Sequence, residues 1–303
     1  MAGRATSSFS SGLRFGSQIA EPLSIAETIR SINWTAIPER KQDHPRPIFV
    51  VGAPRSGTTL VGACVSNACG YAVRPQSLFL LDIWSIFANL HQGANRRQTS
   101  SLGSYIGVHE VVESLGRLAD DVMMGRVPAG RAVDHTPWYG AIIPLLTRLF
   151  PGAQFIHVIR NGRFVSESLR LSYRSGFSWA GEHLSDRLSV WQDMVGTTMS
   201  NARFLDKDSY LEVRYEALCA APMHELELMF NFLKIDNWEK PALSELAIAH
   251  ASPARADSLL GDVASGDVTV TPRRQSSAPE GWSREDEAIF VEHCGELAKK
   301  LGY

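Results

Sequence analysis

Residues 48–60 constrain this chain more than any other stretch. Ile48-Phe49-Val50-Val51 is a continuous apolar run between Pro47 and Gly52. Its length and β-branched content predict a strand buried on both faces, as in a parallel sheet. The turn that follows reads Gly52-Ala53-Pro54-Arg55-Ser56-Gly57-Thr58-Thr59-Leu60, and after it Leu60, Val61, Cys64 and Val65 recur at helical spacing. Such a turn points several backbone N–H groups into one concavity and opens a helix whose N-terminus favours an anion. Gly57 permits close approach, the hydroxyls of Ser56, Thr58 and Thr59 add donors, and Arg55 supplies a cation. A plain connecting turn could also carry two glycines. The strand, the hydroxyl cluster and the helix together favour anion binding.

The pattern recurs along the chain. Gln154–Ile159 reads as a second buried strand, followed by a turn and a helical pattern over Phe164–Tyr173. Tyr210–Val213 reads as a third, followed by Tyr215 and a helix over Met223–Leu233, and Arg131–Asp134 is a weaker candidate. A short helix is predicted over Leu23–Ile32 and an amphipathic one over Glu285–Tyr303. Strand, turn and helix alternate, which predicts a three-layer α/β fold with a central parallel sheet flanked by helices. Residues 1–22 read as a flexible tail and residues 23–303 as a single domain, with helical inserts near 77–125 and 175–205. The tail lacks the apolar segment of a secretory signal. Its lack of acids before Glu21 leaves a transit peptide as the alternative.

A formal charge of −2 gives no global field for nucleic acid or an anionic membrane, so a phosphate-bearing ligand must be met by local cations. No run reaches the length of a membrane span. The cysteines Cys64, Cys69, Cys219 and Cys294 show none of the two-residue spacing of zinc or redox sites, and suit reduced thiols in the cytoplasm.

A second anion site is predicted at Arg160-Asn161-Gly162-Arg163, where the second strand meets its helix. Arg160 sits at the carboxyl end of a parallel strand, the edge where such sheets hold ligands, and a guanidinium there can fork onto a phosphate. Ser166 and Ser168 fall within the first two turns of that helix. Taken alone, Arg160 could equally serve a surface carboxylate. Two anion sites on one edge imply a ligand with phosphates at both ends. The first turn has the Gly, four residues, Gly spacing of a Walker P-loop, but Thr58 stands where that loop has its Lys. Arg160 stands where a nucleotide hydrolase would want an acid for Mg²⁺. A kinase-like phosphoryl transferase therefore fits poorly.

Together these residues resemble the PAPS-dependent sulfotransferase family, whose donor is 3′-phosphoadenosine 5′-phosphosulfate (PAPS). PRSGTTL, Pro54 to Leu60, resembles its 5′-phosphosulfate loop. FIHVIRNGRFVSESL, Phe155 to Leu169, resembles its 3′-phosphate motif, with Arg160 and Ser168 at the matching positions. YLEVRYEAL, Tyr210 to Leu218, resembles the segment whose Tyr approaches the adenine, here Tyr215. Leu301-Gly302-Tyr303 is an ending of the type seen in bacterial members. The resemblance covers roughly residues 46 to 303. It implies a P-loop-like fold, PAPS as donor, adenosine 3′,5′-bisphosphate (PAP) as product, no required metal, and transfer of the sulfuryl group to an acceptor hydroxyl, here expected on a small molecule. Members close the donor site with a loop carrying a cation, so Arg273 or Arg274 is expected at the 3′-phosphate, a solvated basic pair being the alternative. The oligomeric state is not legible.

Two positions depart from the family pattern. Many relatives carry a Glu in a stretch like Arg74-Pro75-Gln76-Ser77, and here it is Gln76, which cannot take a proton. Many relatives have Lys where His135 stands in Val133-Asp134-His135-Thr136-Pro137. The animal cytosolic branch has its catalytic His two residues after such a Lys. Arg55 is expected to stabilise the leaving phosphate oxygen. His135 is the leading base, since imidazole suits proton transfer near neutrality; binding donor phosphate or capping Thr136 is its alternative role. His109 and Glu110, in the first insert, are further candidates, although a solvated helix face explains them. Trp84, Phe87, Trp138, Tyr139, Phe177 and Trp179 lie near the acceptor side in sequence, most of them as core and a subset as an apolar acceptor pocket. Gln76 keeps a second class open: a PAPS- or PAP-binding protein that has lost catalysis.

Overall fold

The computed structural model describes residues 25–37, 39–40, 45–69, 72–74, 76–95, 106–123, 131–235 and 278–303. The expected tail and the Arg273–Arg274 pair lie outside the described residues. In chain order the elements are α1 (Ile25–Ser31), β1 (Ile48–Gly52), α2 (Thr58–Cys69), β2 (Ala72–Arg74), α3 (Phe79–Asn95), α4 (Val108–Met123), β3 (Ala132–Asp134), α5 (Ile143–Leu149), β4 (Gln154–Ile159), α6 (Gly162–Arg174), α7 (Leu184–Ala202), β5 (Tyr210–Arg214), α8 (Tyr215–Ala220), α9 (Pro222–Leu233) and α10 (Arg284–Lys300).

The five strands form one parallel sheet in the order β2-β3-β1-β4-β5. β1 lies at its centre and all five of its residues are buried. Successive side chains point to opposite faces. Phe49 and Val51 join Phe155, Tyr139, Phe150 and Leu146 on one side. Ile48 and Val50 join Ile156, Val158, Val61 and Val65 on the other, under α2 and α9. A strand with two buried faces has no polar side to show, which is why its sequence reads as an unbroken apolar run. The expected three-layer fold with helices on both faces of a parallel sheet is therefore present. No helix among the described residues is long and apolar enough to cross a membrane.

The first insert supplies α3 and α4, which pack with α1. Trp34 stacks on Phe87 with centroids 5.8 Å apart, and Trp84 lies 6.1 Å from Phe87. Trp84 and Phe87 are therefore core residues. A buried ion pair anchors α4: Arg40 Nη1 meets Asp120 Oδ2 at 2.6 Å and donates to the Leu149 carbonyl at 3.0 Å. Gly116 makes room for it, since a Cβ there would lie 2.4 Å from Arg40 Cδ. The second insert supplies α7, whose Trp191, Met194 and Val195 form a third apolar cluster with Phe290 and Cys294 of α10. Arg163 ties the first turn of α6 to α10 through a bidentate pair with Glu287, at 2.8 and 2.6 Å, and lies 3.9 Å over the Phe290 ring.

Most predicted element boundaries agree with the structure to within two residues, the scatter expected at element ends. β2 escaped the sequence reading because three residues are too few to show a period.

Candidate active site at the carboxyl edge of the sheet

β1 ends in the turn that enters α2. Arg55 takes φ 73°, a conformation that costs a non-glycine residue on the order of 1–3 kcal/mol. Gly57 takes φ 104° with the Tyr215 ring against it, and a Cβ there would lie 2.6 Å from Tyr215 Cδ2. No other residue type satisfies both demands. The Ser56 hydroxyl is buried without a hydrogen-bond partner, and Thr58 is buried beside it. A buried orphan hydroxyl in a strained turn at a helix N-terminus is the arrangement of a loop that closes on an anion.

The second predicted anion site folds directly onto the first. Arg55 Nε donates to Ser168 Oγ at 3.1 Å, and Arg160 Nη1 donates to the Arg55 carbonyl at 3.1 Å. The Arg160 guanidinium lies 4.4 Å from the centroid of the Tyr215 ring, and its Nε is buried without a partner. Burial pushes the Tyr215 hydroxyl up to about 12 despite the opposing pull of Arg160. Asn161 caps α6, its Oδ1 accepting the Arg163 N–H at 3.0 Å, while Trp191 Nε1 donates to the Arg160 carbonyl at 2.9 Å. Arg55, Ser56, Gly57, Thr58, Arg160, Ser168 and Tyr215, widely separated in sequence, thus converge on the carboxyl ends of β1, β4 and β5. Ser166 does not join them, because it is buried and its hydroxyl turns back to the Arg163 carbonyl.

On the other side of β1 the chain leaving β3 carries His135. Its ring packs on α2 at Gly62, where a Cβ would lie 2.8 Å from His135 Cβ. The residue is 4% exposed and its Nδ1 is buried without a partner. Burial disfavours the imidazolium, so its pKa falls below the ordinary value. Asp134 does not partner it: Asp134 Oδ1 accepts the Thr136 N–H at 2.8 Å. Gln76 bridges the two sides, its Nε2 donating to Thr59 Oγ1 at 3.2 Å and to the His135 carbonyl at 3.4 Å. The neighbouring chain is stitched in place as Ser77 N donates to Thr136 Oγ1 at 3.1 Å and the Tyr139 hydroxyl donates to the Ser77 carbonyl at 2.7 Å. Tyr139 is core. Trp138, Phe177 and Trp179 instead form a partly exposed aromatic group, with Trp138 and Trp179 centroids 5.6 Å apart. Glu110 accepts the Gly107 N–H at the start of α4, a local helix-capping role.

Sequence reasoning missed Glu216. Its Oε1 accepts the Asn161 backbone N–H at 2.9 Å and its Oε2 accepts the Tyr303 hydroxyl at 2.9 Å. The available signal was its place directly after Tyr215, but a lone carboxylate in a helix first turn reads as a dipole partner.

The arrangement has counterparts in known proteins. A family model described as the sulfotransferase family matches residues 47–240, more than half of the chain. Protein-tyrosine sulfotransferase 1 of Danio rerio is 28% identical over 198 residues, 62% of this chain and 53% of that protein. Omega-hydroxy-beta-dihydromenaquinone-9 sulfotransferase Stf3 of Mycobacterium bovis is 24% identical over 176 residues, 55% of this chain and 40% of that protein. The chain thus spans about half or less of the length of these relatives. The sulfotransferase domain from the Synechococcus PCC 7002 olefin synthase shares the fold, with a TM-score of 0.52 at 20% identity, covering 88% of this chain and 98% of that one.

Proposed function

The chain belongs to the sulfotransferase family, and from that premise we propose that it transfers a sulfuryl group from PAPS to an acceptor hydroxyl by in-line displacement. The observation that carries the reading is the convergence of the Arg55–Thr59 turn with Arg160 and Ser168, linked by hydrogen bonds of 3.1 Å. One ligand with phosphate groups at both ends fits two anion sites on one sheet edge. The residues present suit it: the buried orphan atoms Ser56 Oγ and Arg160 Nε are donors, and the adenine is assigned to the neighbourhood of Tyr215, whose ring is buried against Gly57 and under Arg160. In this reading the Arg55–Thr59 loop holds the 5′-phosphosulfate, and Arg160 and Ser168 hold the 3′-phosphate. PAPS supplies the sulfuryl group, and PAP leaves as product. Arg55 stabilises charge on the leaving oxygen, and His135 takes the acceptor proton.

The acceptor is proposed as a small-molecule hydroxyl. The relatives' names state both a protein tyrosine and a hydroxylated menaquinone. The reading treats residues 23–303 as one domain, supported by pairing of all five described strands in a single sheet and by α10 packing on α7. Buried free thiols at Cys64, Cys219 and Cys294 support a reducing compartment such as the cytoplasm. Gln76 favours one alternative, a PAP-binding protein without turnover, because an amide stands at a position where relatives often have an acid.

Calorimetry with PAP in the presence of chelator tests the donor assignment. Metal-independent binding is expected, and loss of binding without Mg²⁺ overturns it. Arg160→Ala should weaken PAP by about 1.5–3 kcal/mol, the scale of a hydrogen bond to a charged group. Adenosine 5′-monophosphate, which lacks the 3′ group, should be nearly blind to the change. Equal losses for both nucleotides would remove Arg160 from the 3′-phosphate.

A further inference from the structure

The two walls of the proposed nucleotide site come from different parts of the chain. Arg160 follows β4, and Asn161 links it to α6, which carries Ser168. Tyr215 opens α8 after β5. Glu216 spans the gap, one oxygen on the Asn161 N–H and the other on the Tyr303 hydroxyl, each at 2.9 Å. The position of this carboxylate therefore fixes how far the Arg160 turn stands from the Tyr215 helix.

Tyr303 is held for that task. It packs with the α7–α10 cluster, and the Arg214 guanidinium lies 5.2 Å from its ring centroid. Its backbone N–H donates to the Ala298 carbonyl at 2.9 Å. Burial, with the charge of Glu216, pushes the hydroxyl well above the ordinary phenol value, so it stays protonated and donates. Without that donor, Glu216 Oε2 loses its partner, and the Asn161 N–H alone holds the carboxylate against the Arg160 turn, so the turn is no longer braced from the far side.

We infer that Tyr303 is a positioning residue of the nucleotide site: by holding Glu216 it keeps Arg160 turned to the ligand, and so sets the preference for a nucleotide bearing a 3′-phosphate. This rests on the reading that Arg160 meets the 3′-phosphate. No contact between Tyr303 and the nucleotide is required. Tyr303 acts through Glu216, which holds the Asn161 N–H directly.

The test is calorimetric, with PAP and adenosine 5′-monophosphate as paired probes on the full chain. Tyr303→Phe keeps the ring and removes the donor, and should weaken PAP about tenfold while changing the monophosphate less than about twofold. Glu216→Ala should lose a similar factor for PAP, and adding Tyr303→Phe to it should cost nothing more, because the two act in series. Glu216→Gln keeps an acceptor for Asn161 and a partner for the Tyr303 oxygen without the charge, and should restore most of the discrimination. Additive losses in the double variant, or equal losses for both nucleotides, would reduce Tyr303 to packing and overturn the inference. A wild-type protein that ignores the 3′-phosphate overturns the donor assignment and this inference together. Wild-type discrimination that survives Tyr303→Phe overturns this inference alone.

Discussion

The two halves of the active edge are built from different chemistry. The half over β1, β4 and β5 is cationic and cross-linked: Arg55 on Ser168, Arg160 on the Arg55 carbonyl and the Tyr215 ring, Glu216 behind both. The half over β3 is not cationic: its buried charge is the Asp134 carboxylate, which accepts the Thr136 N–H. That half also holds His135 with an unpartnered Nδ1, Gln76 and the Thr136–Ser77 contact. A cationic, pre-linked half suits a fixed polyanionic ligand, because its orientation is established before binding. A half with a buried imidazole suits proton transfer. On the proposed assignment the contrast makes binding and chemistry separable, and substitutions on the two sides should fail in different ways.

The largest effect is expected from the β3 half. His135→Asn keeps much of the size but removes the base, and should lower kcat by roughly a hundred- to ten-thousandfold with little change in PAP affinity. His135→Lys should fail at neutral pH if the position must accept a proton, and should restore activity if it only neutralises phosphate. The pH profile sharpens this. As the proposed base, His135 works in its neutral form, and burial holds its pKa below the ordinary 6.5. kcat/KM for the donor should therefore fall only as pH drops below that value. Bound phosphates favour the imidazolium, so the acid limb of kcat should lie at higher pH than that of kcat/KM. An active Lys variant with an unchanged profile would pass the proton to another group and collapse the division between the halves.

Arg55 tests the boundary from the cationic side. It sits in a strained backbone conformation at the loop where the transferred group is proposed to lie. Charge grows on the bridging oxygen as the sulfuryl group departs, so a cation there is worth more in the transition state than in the ground state. Arg55→Ala should lower kcat by roughly a hundredfold, with a smaller rise in donor KM. Near-normal kcat with only a raised KM would make Arg55 a binding residue and leave the cationic half purely a cradle.

The same division governs how much was legible in the sequence. The strand, turn and helix at 48–65 and 154–173 are local patterns, and they gave both the fold class and the cationic half, because residues that bind phosphate come as short contiguous motifs. Contacts that join distant segments carried no such signal. Nothing near Glu216 announces Asn161 and Tyr303, which lie 55 and 87 residues away. The Leu301-Gly302-Tyr303 ending was noticeable but had no visible partner. Trp84 and Phe87 lie close to the β3 half in sequence, yet they pack against Trp34, because α3 turns its apolar face to the segment that follows α1. Burial of His135 was also invisible, since it depends on Gly62 of α2 offering its ring a surface without a side chain.

Gln76 gives the smallest expected effect and the finest test of the contrast, because it touches both halves. Its amide donates to Thr59 of the phosphate loop and to the carbonyl of His135. Two roles are compatible with its place: a spacer that keeps the loop and His135 in register, or the remnant of an acid position whose chemistry His135 has assumed. Gln76→Glu separates them, since it keeps the shape, removes both donors and adds a carboxylate. As a spacer, the residue loses its bond to the His135 carbonyl, since only the Thr59 hydroxyl can turn to donate to a carboxylate, and it sets a like charge beside the proposed phosphate loop; kcat/KM for the donor should drop about three- to tenfold. If the position still serves proton transfer, the new carboxylate is a second base, and kcat should hold or rise. The double variant Gln76→Glu with His135→Asn then decides. Recovery of turnover in that background would mean that the proton can be taken from either side of the edge. No recovery is the expected result, and would leave His135 as the base and Gln76 as the brace that joins the two halves.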